Sequence, residues 1–87
     1  EANFYKYDNR GTYEFKSGSK YVGNYKGDAR QGLGSYTYNN GDIYRGNWEK
    51  GMKSGVGTMH YKNKDKYSGS WYKDYKHGNG EFNYANG

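Results

Sequence analysis

Large apolar side chains alternate with small or polar ones in short runs along the chain. Between Ile43 and Glu49, Tyr44, Gly46 and Trp48 alternate with Arg45 and Asn47. Between Gly55 and Tyr61, Gly57, Met59 and Tyr61 alternate with Val56, Thr58 and His60. Period-two alternation rich in Tyr, Trp and Thr, bounded by Gly, Asn and Asp, predicts β-strands. No segment carries a helical stripe.

The alternation is itself periodic. Tyr21-Gly23-Tyr25, Tyr44-Gly46-Trp48 and Tyr67-Gly69-Trp71 follow one another at 23 residues. So do the glycine pairs Gly32/Gly34, Gly55/Gly57 and Gly78/Gly80, and the apolar pairs Tyr36/Tyr38, Met59/Tyr61 and Phe82/Tyr84. Residues 18–40, 41–63 and 64–86 are full copies in one domain, 1–87. Residues 1–17 read as a partial, degenerate copy with Gly11, Tyr13 and Phe15 in register, and Gly87 as the start of another. The chain reads as an excerpt of a longer repeat array.

The fold this predicts is all-β: a single-layer, twisted antiparallel meander of stacked β-hairpins, one per 23-residue repeat. In the second copy, strands Ile43–Glu49 and Gly55–Tyr61 flank a loop at Lys50–Ser54. Folding about Met52–Lys53 sets Trp48 against Gly57, Gly46 against Met59 and Tyr44 against Tyr61. The next crossing sets Tyr61 against Tyr67, Met59 against Gly69 and Gly57 against Trp71. Rings would then cover the bare backbone at the structural glycines Gly23, Gly34, Gly46, Gly57, Gly69 and Gly80. All aromatics except Phe4, Tyr5, Tyr7, Tyr72 and Tyr75 fall on one face. The other, with Val22, Asn24, Arg45, Asn47, Thr58, His60, Ser68, Ser70, Glu81 and Asn83, reads as solvated.

Composition sharpens this picture. The 87 residues include 15 Gly and 13 Tyr, with no Pro and no Cys. A chain so short and poor in aliphatics cannot build a thick two-layer core, so aromatic burial must hold the sheet. The formal net charge is +5, spread along the chain. It favours acidic partners without naming one.

The run Tyr-x-Gly-x-Trp followed by Gly-x-Gly and Tyr resembles the MORN repeat (membrane occupation and recognition nexus). Two copies carry it in full: Tyr44-Gly46-Trp48-Gly55-Gly57-Tyr61 and Tyr67-Gly69-Trp71-Gly78-Gly80-Tyr84. The first copy has Tyr25 where the family prefers Trp or Phe. The family's basic-His-Gly-x-Gly turn occurs once, at Lys76-His77-Gly78-Asn79-Gly80, and Asp28 and Asp74 depart from its loop glycine. The resemblance implies stacked hairpins and a scaffold role, within a cytoplasmic protein at a membrane or the cytoskeleton. MORN arrays also precede enzyme domains, such as phosphatidylinositol phosphate kinases and a lysine methyltransferase.

Catalytic chemistry is not legible. His60 and His77 occupy different repeat positions and no cysteine joins them, so no metal site is expected. The Gly-x-Gly pairs lie in strands and open no helix, which excludes a phosphate loop. Asp42, Asp65 and Glu49 form no carboxylate pair. The expectation is a non-enzyme with no cofactor, no small-molecule substrate and no nucleic-acid partner.

Two functions compete. One is capture of a protein partner, or self-association, through an aromatic face of Tyr21, Tyr25, Tyr36, Tyr38, Tyr44, Trp48, Met59, Tyr61, Tyr67, Trp71, Phe82 and Tyr84. The other is weak attachment to acidic phospholipid through Arg30, Lys53 and Lys76, which recur at one loop position.

Overall fold

The computed structural model describes residues 3–7, 10–27 and 29–85, with the side chains of residues 3–7 and of Arg10 outside that description. Eight strands form one antiparallel sheet in strict sequence order. They are β1 (Asn3–Tyr7), β2 (Arg10–Glu14), β3 (Lys20–Lys26), β4 (Ala29–Thr37), β5 (Ile43–Glu49), β6 (Met52–His60), β7 (Lys66–Tyr72) and β8 (Tyr75–Asn83). The described residues include no helix. The sheet is a single layer, 39 × 24 × 17 Å overall, and its core lies on one face only.

The hairpin loops are shorter than the pattern predicts. Glu49 pairs directly with Met52, which leaves a two-residue turn at Lys50 and Gly51. Both have positive φ, 52° and 83°, the conformation whose twist matches antiparallel strands. Lys73 and Asp74 repeat the turn between Tyr72 and Tyr75. The expected loop at Lys50–Ser54 is therefore corrected: Met52, Lys53 and Ser54 belong to β6.

The register is corrected as well. Gly46 pairs with Gly57 and Tyr44 with Met59. At the next crossing Met59 pairs with Tyr67, Gly57 with Gly69 and Gly55 with Trp71. Each pairing differs by two residues from the one the alternation suggested. Within the hairpin the cause is the tight turn followed by a bulge. Between Gly46/Gly57 and Trp48/Lys53 the second strand carries two extra residues, and Gly55 absorbs the distortion at φ 80°. The same shift recurs between β3 and β4 and between β7 and β8. A two-residue slip leaves side chains on the same face, whereas a one-residue slip would invert them, so the aromatic face survives the correction.

The observed register lines glycines up across the sheet. Gly11, Gly23, Gly34, Gly46, Gly57, Gly69 and Gly80 pair successively from β2 to β8. Copies are joined by one recurrent loop. Phe15, Tyr38 and Tyr61 each donate their amide to the carbonyl four residues on, at 2.8–2.9 Å. Gly18, Gly41 and Lys64 occupy its positive-φ position.

Candidate binding surfaces

The glycine row is a trough, and tyrosines lie in it. Tyr44 leans along its own strand and donates its hydroxyl to the Asn47 carbonyl at 2.9 Å. Tyr21 does the same to Asn24 at 2.9 Å and Tyr67 to Ser70 at 3.4 Å. In this pose the rings occupy the space a side chain would need at Gly34, Gly57 and Gly80. Gly23, Gly46 and Gly69 are closed differently: a Cβ there would meet the facing glycine's Cα.

Tryptophans fill the trough from the other side and join copies. Trp48 donates its indole N–H to the Gly34 carbonyl at 3.2 Å, and Trp71 to Gly57 at 3.1 Å. Each indole also meets two tyrosines edge to face: Trp48 meets Tyr21 and Tyr44, and Trp71 meets Tyr44 and Tyr67, at centroid distances of 5.2–5.4 Å. With Tyr25 against Tyr21 at 5.1 Å, the rings form one continuous chain across the array. Such pairs add to area burial.

Most of the expected partner face is consumed by this packing. Tyr21 and Tyr44 are 0% exposed, and Tyr25, Trp48, Met59, Tyr67 and Trp71 are at most 7% exposed. Tyr36, Tyr38 and Tyr61 are half-buried, and Phe82 and Tyr84 are exposed. The accessible part of the face is thus a rim beside the inter-copy loops, along which Tyr61 stacks on Phe82 at 5.8 Å.

The repeated cations lie on the aromatic face, not at free loop tips. Because the turn is only two residues long, Lys53 pairs with Trp48 and Lys76 with Trp71. The Arg30 guanidinium sits 4.8 Å from the Trp48 centroid and 5.3 Å from that of Tyr36. It also donates to the Gly51 carbonyl at 2.7 Å. The Lys53 ammonium is 5.1 Å from Trp71 and 5.7 Å from Tyr44, and donates to the Tyr38 hydroxyl at 2.7 Å. Lys76 lies 5.4 Å from Tyr67. These are cation–π contacts that cap the trough.

Burial shifts the titration of this face. It pushes the Tyr38 hydroxyl up to about 12, helped by Asp74, and raises Tyr44 and Tyr25. It lowers Lys53, an effect Asp74 opposes. The tyrosines' folded pKa values lie above their unfolded value near 10, so they contribute stability that is intact below pH 10. It is lost as pH rises through the folded values. Lys53 acts oppositely: its cost to folding lessens as pH approaches 10.5. Three tyrosines outweigh one lysine, so alkaline unfolding should begin above about pH 10. Chemical denaturation at pH 9, 10 and 11 would check this; stability rising across that range would refute it.

The opposite face is less polar than the alternation suggested. Leu33 and Val56 are 60% and 66% exposed there, within the Gly-x-Gly pairs. Tyr72 and Tyr75, expected off the aromatic face, are also exposed; Phe4, Tyr5 and Tyr7 fall among the undescribed side chains. His60 is half-buried on this face, and burial, then Arg45 and Lys66, lower its pKa. Among the described residues no group of His, Asp and Glu could hold a metal ion.

Three successive matches to the MORN repeat, over residues 21–43, 44–66 and 67–87, cover well over half of the chain. This chain belongs to the MORN-repeat family. Each match opens on the trough tyrosine, Tyr21, Tyr44 or Tyr67. A comparison with curated proteins found no match.

Proposed function

We propose that this MORN array is a non-enzymatic scaffold module that binds a protein along the rim of its aromatic face. The observation that supports it is the half-buried and exposed row of Tyr36, Tyr38, Tyr61, Phe82 and Tyr84 beside a saturated core. Tyrosine presents a large, rigid contact area with a polar tip, which suits interface anchors. Attachment to acidic lipid through Arg30, Lys53 and Lys76 is the weaker reading, because those head groups already contact the chain's own rings.

The rim can be altered where it is exposed. Phe82→Ser with Tyr84→Ser removes one pair of contacting rings, 4.7 Å apart. Affinity capture from cell extract, quantified against the unaltered chain, should lose a specific protein at least tenfold, the size of a central interface contact. Capture of the same proteins in the same amounts, with the sheet intact by circular dichroism, would reject the rim as the binding surface.

A further inference from the structure

The copies serve as comparisons for one another, and the third departs from both others at one loop glycine. At the inter-copy loop, Gly18 and Gly41 both have φ 101°, while the third copy puts Lys64 there at φ 81°. A lysine in left-handed backbone is strained, and the fold itself asks for glycine.

Further basic residues collect beside it. His60 stands where the other copies have Thr37 and Asn83, and Arg45 where they have Val22 and Ser68. Lys66 stands where they have Lys20 and Ile43. His60 pairs with Lys66 across β6 and β7, and Arg45 pairs with Thr58, two residues from His60 on the same face. A concavity of about 590 Å³ opens here, lined by His60, Lys62, Lys64 and Lys66 among others.

Asp65 lines the concavity too and keeps its charge there, against the three lysines Lys62, Lys64 and Lys66. Asp42 and Asp65 accept the backbone amides of Lys62 and Ala85 at 2.8 Å, and their other oxygens take Asn40 and Asn63. Glu81 faces Ser68 on β7, with that strand between it and β6. The remaining groups facing His60, Ile43 on β5, Thr58 on β6 and Asn83 beyond Lys66, are neutral. The positive potential is felt at His60, whose pKa burial, Arg45 and Lys66 lower.

We propose that Arg45, His60, Lys64 and Lys66 form a binding site for a phosphate dianion. Lys64 and Lys66 line the concavity and Arg45 stands beside it, opposite Thr58; together they supply the charge, and the imidazole, once protonated, donates to a phosphate oxygen. The site lies on the face opposite the aromatic core and does not depend on the partner proposed above.

The test follows both histidine rings of the full chain by NMR through a pH titration, with inorganic phosphate or with chloride at equal ionic strength. Phosphate should raise the His60 pKa by about half a unit or more, because a nearby anion favours imidazolium. His77, on β8, is the internal control and should not move. Lys64→Gly restores the residue of the other two copies, so it should keep or raise the thermal midpoint. It should still weaken phosphate binding roughly fivefold, the effect of one nearby charge. Arg45→Gln should do the same.

Vesicles of phosphatidic acid, against phosphatidylcholine alone, form the second arm. A His60 shift with acidic vesicles and not with inorganic phosphate assigns the dianion to a lipid headgroup; the reverse assigns it to a soluble anion. Equal shifts at both histidines, or unchanged binding in Lys64→Gly and Arg45→Gln, overturn the site.

Discussion

Gly57→Ala should destabilise the protein by about 3 kcal/mol, the upper range of overpacking. The added Cβ would fall on the hydroxyl and ring of Tyr44. That ring has nowhere to go. It is fully buried, held edge to face by Trp48 and Trp71, and bonded to the Asn47 carbonyl. Gly46→Val should cost at least as much, because its Cβ would meet the Gly57 Cα and lie 2.7 Å from the Val56 carbonyl, and backbone cannot swing aside. Urea denaturation measures both, with Ser35→Ala on the opposite face as a control expected within about 0.5 kcal/mol of the parent. The decisive comparison is Tyr44→Ser alone and combined with Gly57→Ala. Once the ring is gone the glycine is free to change, so the double variant should lose far less than the sum of the singles. Additive losses would show that the tyrosine is not what the glycine accommodates.

That coupling also shows what the sequence disclosed. Repeat length, strand content and the aromatic face followed from two periods, 2 and 23, that any careful count recovers. Register did not, because Gly55 and Gly57 look alike on paper. One is a bulge at φ 80° and the other a member of the cross-sheet row, and only the three-dimensional twist distinguishes them. The turn was hidden for a similar reason: Lys73-Asp74 takes up positive φ at both residues without a glycine. The error carried into the candidate site. Lys53, placed in a five-residue loop, reads as a solvated cation; placed in β6 opposite Trp48, it is part of the core's cover. The burial of Tyr21 and Tyr44 was equally hidden, since alternation says which face a ring is on and not whether its neighbours close over it. Leu33 and Val56 were overlooked because they sit between glycines, where the eye reads backbone rather than surface.

Replacing Arg30, Lys53 and Lys76 together by Glu should abolish the cooperative fold. Loop residues would tolerate the change; cations capping a trough of rings will not. Each substitution removes a cation–π contact of about 0.5–2 kcal/mol and sets a carboxylate against the negative face of the same rings. At position 53 the new acid would also meet Asp74, whose side chain accepts the Lys53 amide at 2.8 Å. The matched control is Lys20, Lys26 and Lys50 to Glu. It changes net charge equally at exposed positions, and should stay within about 1 kcal/mol of the parent, as surface substitutions do. Added salt should narrow any loss in the control and leave the first variant unfolded, since the charges at positions 30 and 53 are partly buried and screened least. If the two triple variants proved equally stable, the cations would matter only through net charge and the rings would hold the sheet alone. Lys53→Met then separates stem from charge. It keeps an apolar side chain of similar length and deletes the ammonium, with its contacts to Tyr44 and Trp71 and its bond to the Tyr38 hydroxyl. A loss of about 1 kcal/mol, well short of that from Lys53→Glu, assigns part of the array's cohesion to the charge itself.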